Sequence, residues 1–251
     1  MKKKIFYFFA HQDDEIGVFI QINKEIKKNE LYIFYLTSGT DKKINKKKLY
    51  LRDKESIKTL TSLGVKKENI FFIGRKLGIK HNELYLNAKK VTYFLENFIT
   101  NIHKPSSIYT HSWEGGHEDH DTCNLITRRV KKKFRIKNCY QFSLYNAFKT
   151  SFIFFKVFNP IEIKNGNKVF ASLLDRIYFI TLLFNYTSQL KIWIGLYPFI
   201  IFKILMNNYN YLQKIDKNTQ LQKPHKNSLW YEKQNFIKFD KIIVLFDSFL
   251  G

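Results

Sequence analysis

The sequence predicts a doubly wound α/β fold, with a mostly parallel, Rossmann-like sheet, helices on both faces and a largely helical C-terminal extension. Two observations carry this. Short apolar runs at residues 5–10, 31–36, 70–73 and 107–110 alternate with stretches of helical spacing, and connections that long join parallel neighbours, whereas antiparallel strands need only a tight turn. The alternation stops near residue 150. The chain therefore divides into an α/β core at 1–150 and an extension at 151–251, expected to pack on the core as a substrate cap.

Taken in order, the continuous apolar run at 5–10 is a buried strand, and Glu15 to Asn29 follows with Ile16, Phe19, Ile20, Ile22 and Ile26 near helical spacing. Leu31 to Leu36 is a second strand. After a lysine-rich loop at 38–48, Leu51, Ile57, Leu60 and Leu63 mark a second helix closed by Gly64, whose missing Cβ suits a left-handed cap. Ile70 to Ile73 is the third strand. A loop with Gly74 and Gly78 precedes a helix over Ala88 to Ile102, carried by Val91, Phe94, Leu95, Phe98, Ile99 and Ile102. Ser107 to Thr110 is a short strand after Pro105, and a loop at 111–118 leads to a helix from Asp119 to Lys132. Beyond residue 150 come an aromatic run at 152–158, helical-looking stretches at 171–190 and 192–213, a polar segment at 214–228, and a last helix or strand near 236–249.

Composition narrows the classes. With 251 residues, 45% of them apolar and 17% aromatic, the chain can close a large core, which excludes a disordered chain and a stapled mini-protein. Cys123 and Cys139 allow at most one disulfide, so a secreted disulfide framework is excluded. Two buried thiols in a reducing cytoplasm are expected instead. The opening Met1 to Ala10 imitates a signal peptide, yet its six-residue apolar run is shorter than the roughly 7–15 residues of a signal core. The charge-free stretches at 177–190 and 192–202 fall short of the roughly 18 residues that span a bilayer. They suit either core helices or an interfacial helix resting on a membrane, so peripheral membrane contact stays open.

The 43 Lys and Arg against 21 Asp and Glu leave a net charge of +22, which invites a nucleic-acid or anionic-membrane reading. The excess is spread out, however, with 30 basic and 15 acidic residues at 1–150 and 13 and 6 at 151–251. The one dense cluster, Arg128, Arg129, Lys131, Lys132, Lys133, Arg135 and Lys137, falls at a predicted helix end, where cations complement the dipole. No nucleic-acid partner is expected.

The chemistry lies in two polar clusters. His11-Gln12-Asp13-Asp14-Glu15 follows the first strand, and His111-Ser112-Trp113-Glu114-Gly115-Gly116-His117-Glu118-Asp119-His120-Asp121 follows the strand at 107–110. In open α/β sheets ligands collect beyond the carboxyl ends of strands. His11 and Asp14 are three apart, as are His117 and His120, which on a helix places each pair on one face. Imidazole nitrogens with a carboxylate oxygen suit a borderline cation such as zinc, with ferrous iron as the alternative. Asp13 would point elsewhere, where a general base is needed. Either cluster alone is weak; the two together, each just past a strand, are not.

The pair of motifs resembles the signatures of the PIG-L/LmbE-like (GlcNAc-PI de-N-acetylase) family, metal-dependent enzymes that remove acetyl from N-acetylated sugars. The resemblance spans residues 3 to about 145 and includes Arg52-x-x-Glu55, Phe72-Ile73-Gly74 and Thr110-His111. It implies that His11, Asp14 and His120 bind the metal, that Asp13 is the general base, and that His117 stabilises or protonates the tetrahedral intermediate. It also implies that Arg52 reaches substrate, against the alternative of an ion pair with Asp53 or Glu55. Family members usually carry Pro where Gln12 and Glu118 stand, and more glycine after the first motif than Gly17 alone. Loss of a proline loosens the turn that aims a ligand without changing the ligand.

Trp113 offers a flat face for stacking a sugar, with core packing as the alternative. His225 is a candidate lid residue; His81, His103 and His111 are expected in structural or surface positions. The implied substrate is a glycan, glycolipid or nucleotide-linked N-acetyl sugar such as N-acetylglucosamine, in surface polysaccharide or glycoconjugate biosynthesis, since a basic, aromatic extension suits a phosphate-bearing carrier. The rival readings are a metal-dependent esterase or other amidase, and a basic nucleic-acid- or membrane-binding protein without catalysis.

Overall fold

A computed structural model describes residues 2–40, 46–102, 104–150, 155–162, 166–189, 194–215, 222–234 and 236–243. Five parallel strands form the heart of the sheet: β1 (Lys4–Phe9), β2 (Glu30–Tyr35), β3 (Ile70–Phe72), β4 (Ser107–His111) and β5 (Asn138–Phe142). Two antiparallel strands from the extension, β9 (Tyr209–Lys214) and β8 (Gly166–Phe170), complete the order β3-β2-β1-β4-β5-β9-β8. A separate two-stranded ribbon joins β6 (Tyr145–Asn146) to β7 (Lys156–Val157). The helices are α1 (Phe19–Glu25), α2 (Lys46–Ser62), α3 (Ile73–Leu77), α4 (Ala88–Ile102), α5 (Glu118–Phe134), α6 (Leu173–Leu183), α7 (Tyr197–Met206) and α8 (Trp230–Lys233).

Strand periodicity sorts the core into two layers. Phe6 and Phe8 of β1 face Val91, Leu95 and Ile99 of α4 and Leu125, Ile126 and Val130 of α5. Ile5, Tyr7 and Phe9 face the other way, onto Phe19 and Ile22 of α1 and Phe179, Leu182 and Tyr197 from the extension. Because β1 is covered on both faces it reads as an unbroken apolar run. The chain winds from β1 to β2 and β3 on one side and from β4 to β5 on the other. The reversal leaves a crevice beyond the carboxyl ends of β1 and β4, where both polar clusters begin.

Several elements differ from the sequence reading. The first helix is preceded by a 3-10 stretch at Asp14–Val18 and ends at Glu25, because the polar turn after β1 consumes its first residues. The stretch at 192–213 is divided: α7 ends at Met206, and the extended backbone of Asn207 passes the chain into β9. Strand β5 was not anticipated, being short and half-polar (NCYQF). Residues 239–243 are helical, and residues 244–249, like His103 and residues 151–154, lie outside the described residues. The basic run closes α5 as expected, with Lys131, Lys132 and Lys133 in its last turn.

Gly64 adopts φ +90° after α2, the left-handed cap the sequence suggests. Gly17, by contrast, faces Phe142 and Leu144 in the core. Gly74, the second residue of α3, lies against the backbone of Thr37, where a Cβ would sit 2.1 Å from the nearest carbon. Gly74→Ala should therefore destabilise the protein by about 2–3 kcal/mol, since backbone cannot yield as a side chain would. Chemical denaturation measures this, and unchanged stability would show that α3 shifts freely.

Candidate metal centre and active site

The turn after β1 separates two consecutive carboxylates. Asp13 has φ 109°, a strained conformation for any residue with a Cβ, and the His11 amide donates to Asp14 Oδ2 at 2.6 Å. Asp14 thereby turns inward. Its Oδ2 lies 3.5 Å from His11 Nδ1 and 3.0 Å from His111 Nε2, and its Oδ1 lies 3.2 Å from His120 Nε2. Asp13 turns the other way, with Oδ2 3.5 Å from Arg52 Nη2.

The second cluster is aimed by α5. His117 is its N-cap, with Nδ1 accepting from the Asp119 amide at 3.1 Å, and His120 follows one turn on. The loop before it is held by buried carboxylates. Asp121 Oδ1 accepts from the amides of Glu114 and Gly115, each at 3.1 Å. Glu114 accepts from Ser143 Oγ, the Leu144 amide and Asn146 Nδ2. Asp119 accepts from His11 Nε2 at 2.9 Å and from the amides of Asn82 and Leu84. That last set draws the 81–84 loop to the site.

Burial and mutual charge set the ionisation. At Asp13 burial dominates and, with the neighbouring Asp14, lifts the carboxyl to about 7 against the pull of Arg52. Burial disfavours a charge on His11, but Asp14 and Asp119 outweigh it and hold the imidazole up at about 10. Asp14 is also buried, yet the imidazoles of His120, His111 and His11 keep it well below the usual carboxylate range. Burial, with His111 beside it, brings His120 down to about 4, and burial likewise lowers His117.

A cavity of about 340 Å³ opens over these groups, within the range of small-molecule sites. His11, Asp13, Asp14, Arg52, His117 and His120 line its polar floor, and Tyr145, Phe155, Tyr197 and Trp230 its apolar wall. The structure thus brings six of the seven expected site residues together. Arg52 pairs with neither Asp53 nor Glu55; it donates to the carbonyls of Gln12 and Gly39 and faces Asp13. Trp113 is the exception. Its indole Nε1 donates to the Gln222 carbonyl and its ring packs edge-on to Phe239, away from the cavity, so the core reading of that residue applies. The wall aromatics come from outside both motifs, and no local pattern marks them. His225 packs on Phe148 and is not among the lining residues. His81, expected in a structural position, does line the cavity, 4.5 Å ring to ring from His11.

The donor set suits a divalent cation. One ligand atom from each of His11, Asp14 and His120 falls within 4.8 Å of the others, as do those of His11, His81, His117 and Asp119. Within the first set, His120 Nε2 is buried and lies 3.2 Å from Asp14 Oδ1. An imidazole nitrogen and a carboxylate oxygen so placed are joined either by a proton on the nitrogen or by a cation that both atoms ligate, so the pair fits a divalent metal.

Comparison with known proteins agrees. The family model described as GlcNAc-PI de-N-acetylase (PIG-L) matches residues 6–131, half of the chain. The chain belongs to the PIG-L family. With that membership comes its class, an N-deacetylase hydrolysing an amide bond. No curated protein matches the chain in sequence. Among solved structures, a triple mutant of a deacetylase of teicoplanin biosynthesis superposes with TM-score 0.63 at 12% identity, covering 86% of this chain and 100% of its own. The zinc-inhibited form of teicoplanin deacetylase gives 0.62 at 10% identity over 86% and 100%. The hydratase GalB from Pseudomonas putida KT2440, which acts on 4-carboxy-2-hydroxymuconate, gives 0.53 at 12% over 88% and 99%. At such identities these likenesses concern the fold.

The two departures from the PIG-L pattern are absorbed locally. Gln12 Nε2 donates to Asp53 Oδ1 at 2.8 Å while its carbonyl accepts from Arg52, so hydrogen bonds hold the turn where a proline ring would. Glu118 is buried with Oε2 3.4 Å from His117 Nδ1, and burial beside Asp119 pushes its carboxyl up to about 8.

Burial also lifts Glu114 to about 8 despite its three donors. A carboxyl whose folded pKa lies above its unfolded value stabilises least once pH exceeds the folded pKa, so stability should fall as pH rises from about 4.5 to 8. Glu114→Gln should remove the share of that slope that Glu114 contributes, so that the variant loses less stability than the parent as pH rises. Thermal melts at pH 5 and pH 9 measure this; parallel losses in both proteins would refute it.

Proposed function

We propose that this chain hydrolyses the acetamide of an N-acetylated sugar, releasing acetate and the free amino sugar. The observation that carries this reading is the placement of Asp13 and His117 beside one set of His11, Asp14 and His120 in a single cavity. His11, Asp14 and His120 would hold a divalent cation, which would supply Lewis acidity toward the amide carbonyl and lower the cost of deprotonating water. Zinc fits this borderline donor set, with ferrous iron as the alternative. Zinc inhibition of the teicoplanin enzyme makes the metal's identity a matter for direct comparison.

Asp13, with a carboxyl near neutrality and off the metal-binding set, takes the proton from the attacking water. Arg52, 3.5 Å away, holds that carboxylate in place and offers a donor to a substrate oxygen. His117, whose Nδ1 is occupied by the Asp119 amide, is left with Nε2–H to donate a hydrogen bond toward the oxyanion; Asp13, holding the proton taken from water, then returns it to the leaving amine. The aromatic wall suits the C–H face of a pyranose such as N-acetylglucosamine. We further propose a lipid- or nucleotide-linked sugar of surface polysaccharide or glycoconjugate biosynthesis, because the extension is basic in sequence and lends Phe155, Tyr197 and Trp230 to the cavity lining, and a cytoplasmic enzyme peripheral to the membrane.

Asp13→Asn should retain stoichiometric metal while acetate release falls about 10²- to 10⁴-fold; full activity would end its assignment as base. His120→Ala should lower metal content under conditions where the parent is saturated, and unchanged stoichiometry would remove it from the ligand set. Acetate release from N-acetyl but not O-acetyl sugars separates the amidase from an esterase.

A further inference from the structure

Helices α6 and α7 carry large apolar side chains both inward and outward. Inward, Phe179, Leu182 and Leu183 of α6 and Tyr197 and Ile200 of α7 are buried in the core. Outward, Leu173, Leu174, Ile177 and Tyr178 line α6, and Phe199, Phe202, Leu205 and Met206 line α7. The side chains of Leu174 (80% exposed), Met206 (66%), Phe202 (62%) and nearby Ile194 (84%) stand largely in solvent. Of the sixteen exposed large apolar side chains among the described residues, eleven lie between Phe170 and Met206, so they are concentrated in one region. An outward face this apolar is at home only where something apolar covers it. The two helices pack on each other, with Arg176 Nη1 donating to the Leu205 carbonyl at 2.6 Å, so their outward residues form one surface.

Charge says what covers it. Asp175 is the only acidic residue on either helix, against Arg176 and Lys203. Asn23 of α1 donates to Asp175, which brings exposed Lys24, Lys27 and Lys28 to the edge of α6. Lys168 lies over the Tyr209 ring at the neighbouring strand. A second copy of this chain would bring the same positive rim against itself, whereas an anionic bilayer complements it. The surface also adjoins the cavity: Gly195, Leu196, Tyr197 and Ile200 line it while Phe199 and Phe202 on the same helix point outward.

We infer that the outward face of α6 and α7 is a docking surface for an anionic lipid bilayer, inserting its apolar side chains among the acyl chains and setting the cavity mouth at the headgroup level. This deepens the peripheral placement proposed above, and it rests on that placement but not on the deacetylase chemistry.

The test is co-sedimentation of the full chain with vesicles of phosphatidylglycerol and phosphatidylcholine in equal parts, and with phosphatidylcholine alone. The chain should bind the anionic vesicles, less so at high salt, and Phe202→Asp/Met206→Asp should weaken binding by about 10-fold or more. Leu174→Asp/Ile177→Asp on α6 should do the same, which guards against a folding defect in either variant. Acetate release from a soluble N-acetyl sugar should be unchanged in both, so loss of docking and failure of the deacetylase reading are told apart. Absence of vesicle binding by the parent, or binding indifferent to both variants, overturns the inference. So does a dimer in light scattering that the α7 variant splits, with no affinity for vesicles.

Discussion

The site depends on one buried carboxylate. Asp14 is almost fully removed from water, and an isolated carboxylate there would be neutralised rather than tolerated. It stays ionised because His11, His111 and His120 surround it and the His11 amide donates to it. Each of those groups is brought by a different piece of backbone: the turn after β1, the end of β4, and the first turn of α5. The negative charge at Asp14 therefore requires the parallel register of β1 against β4, and that register requires the two-sided apolar packing of β1.

Around this centre, other buried acids hold the backbone that carries it. Asp119 links His11 to the loop at 82–84, Asp121 closes the loop ahead of α5, and Glu114 ties that loop to the strand following β5. Such carboxylates would be costly alone, and each is supplied with backbone or side-chain donors. GalB shares the fold at TM-score 0.53 while its chemistry is hydration. What distinguishes one enzyme from another on this scaffold is the set of side chains at the switch point.

The extension completes the protein in two ways. Its strands continue the sheet beyond β5, β9 antiparallel to β5 and β8 antiparallel to β9, and its helices roof the second core layer while supplying Tyr197 and Ile200 to the cavity. The same helices leave an apolar outer surface, so the segment that shapes the cavity also shapes what the protein can rest against.

Local pattern alone determined four of the five parallel strands, because apolar runs buried on two faces and helices with a 3.6-residue period leave their mark in short windows, whereas the half-polar β5 leaves none; it also located both polar clusters at strand ends, and His11, Asp14 and His120 with them. Only tertiary structure decided the rest. Nothing in the neighbourhood of His81 or Trp230 signals that a loop and a distant helix turn deliver them to the cavity, and the stretch at 192–213 looks uniformly helical until β9 finds an edge to pair with. Trp113 shows the converse: its place in the motif suggested a sugar platform, but packing on Phe239 turned it away. Periodicity is a property of neighbours along the chain, whereas a cavity wall is made of neighbours in space.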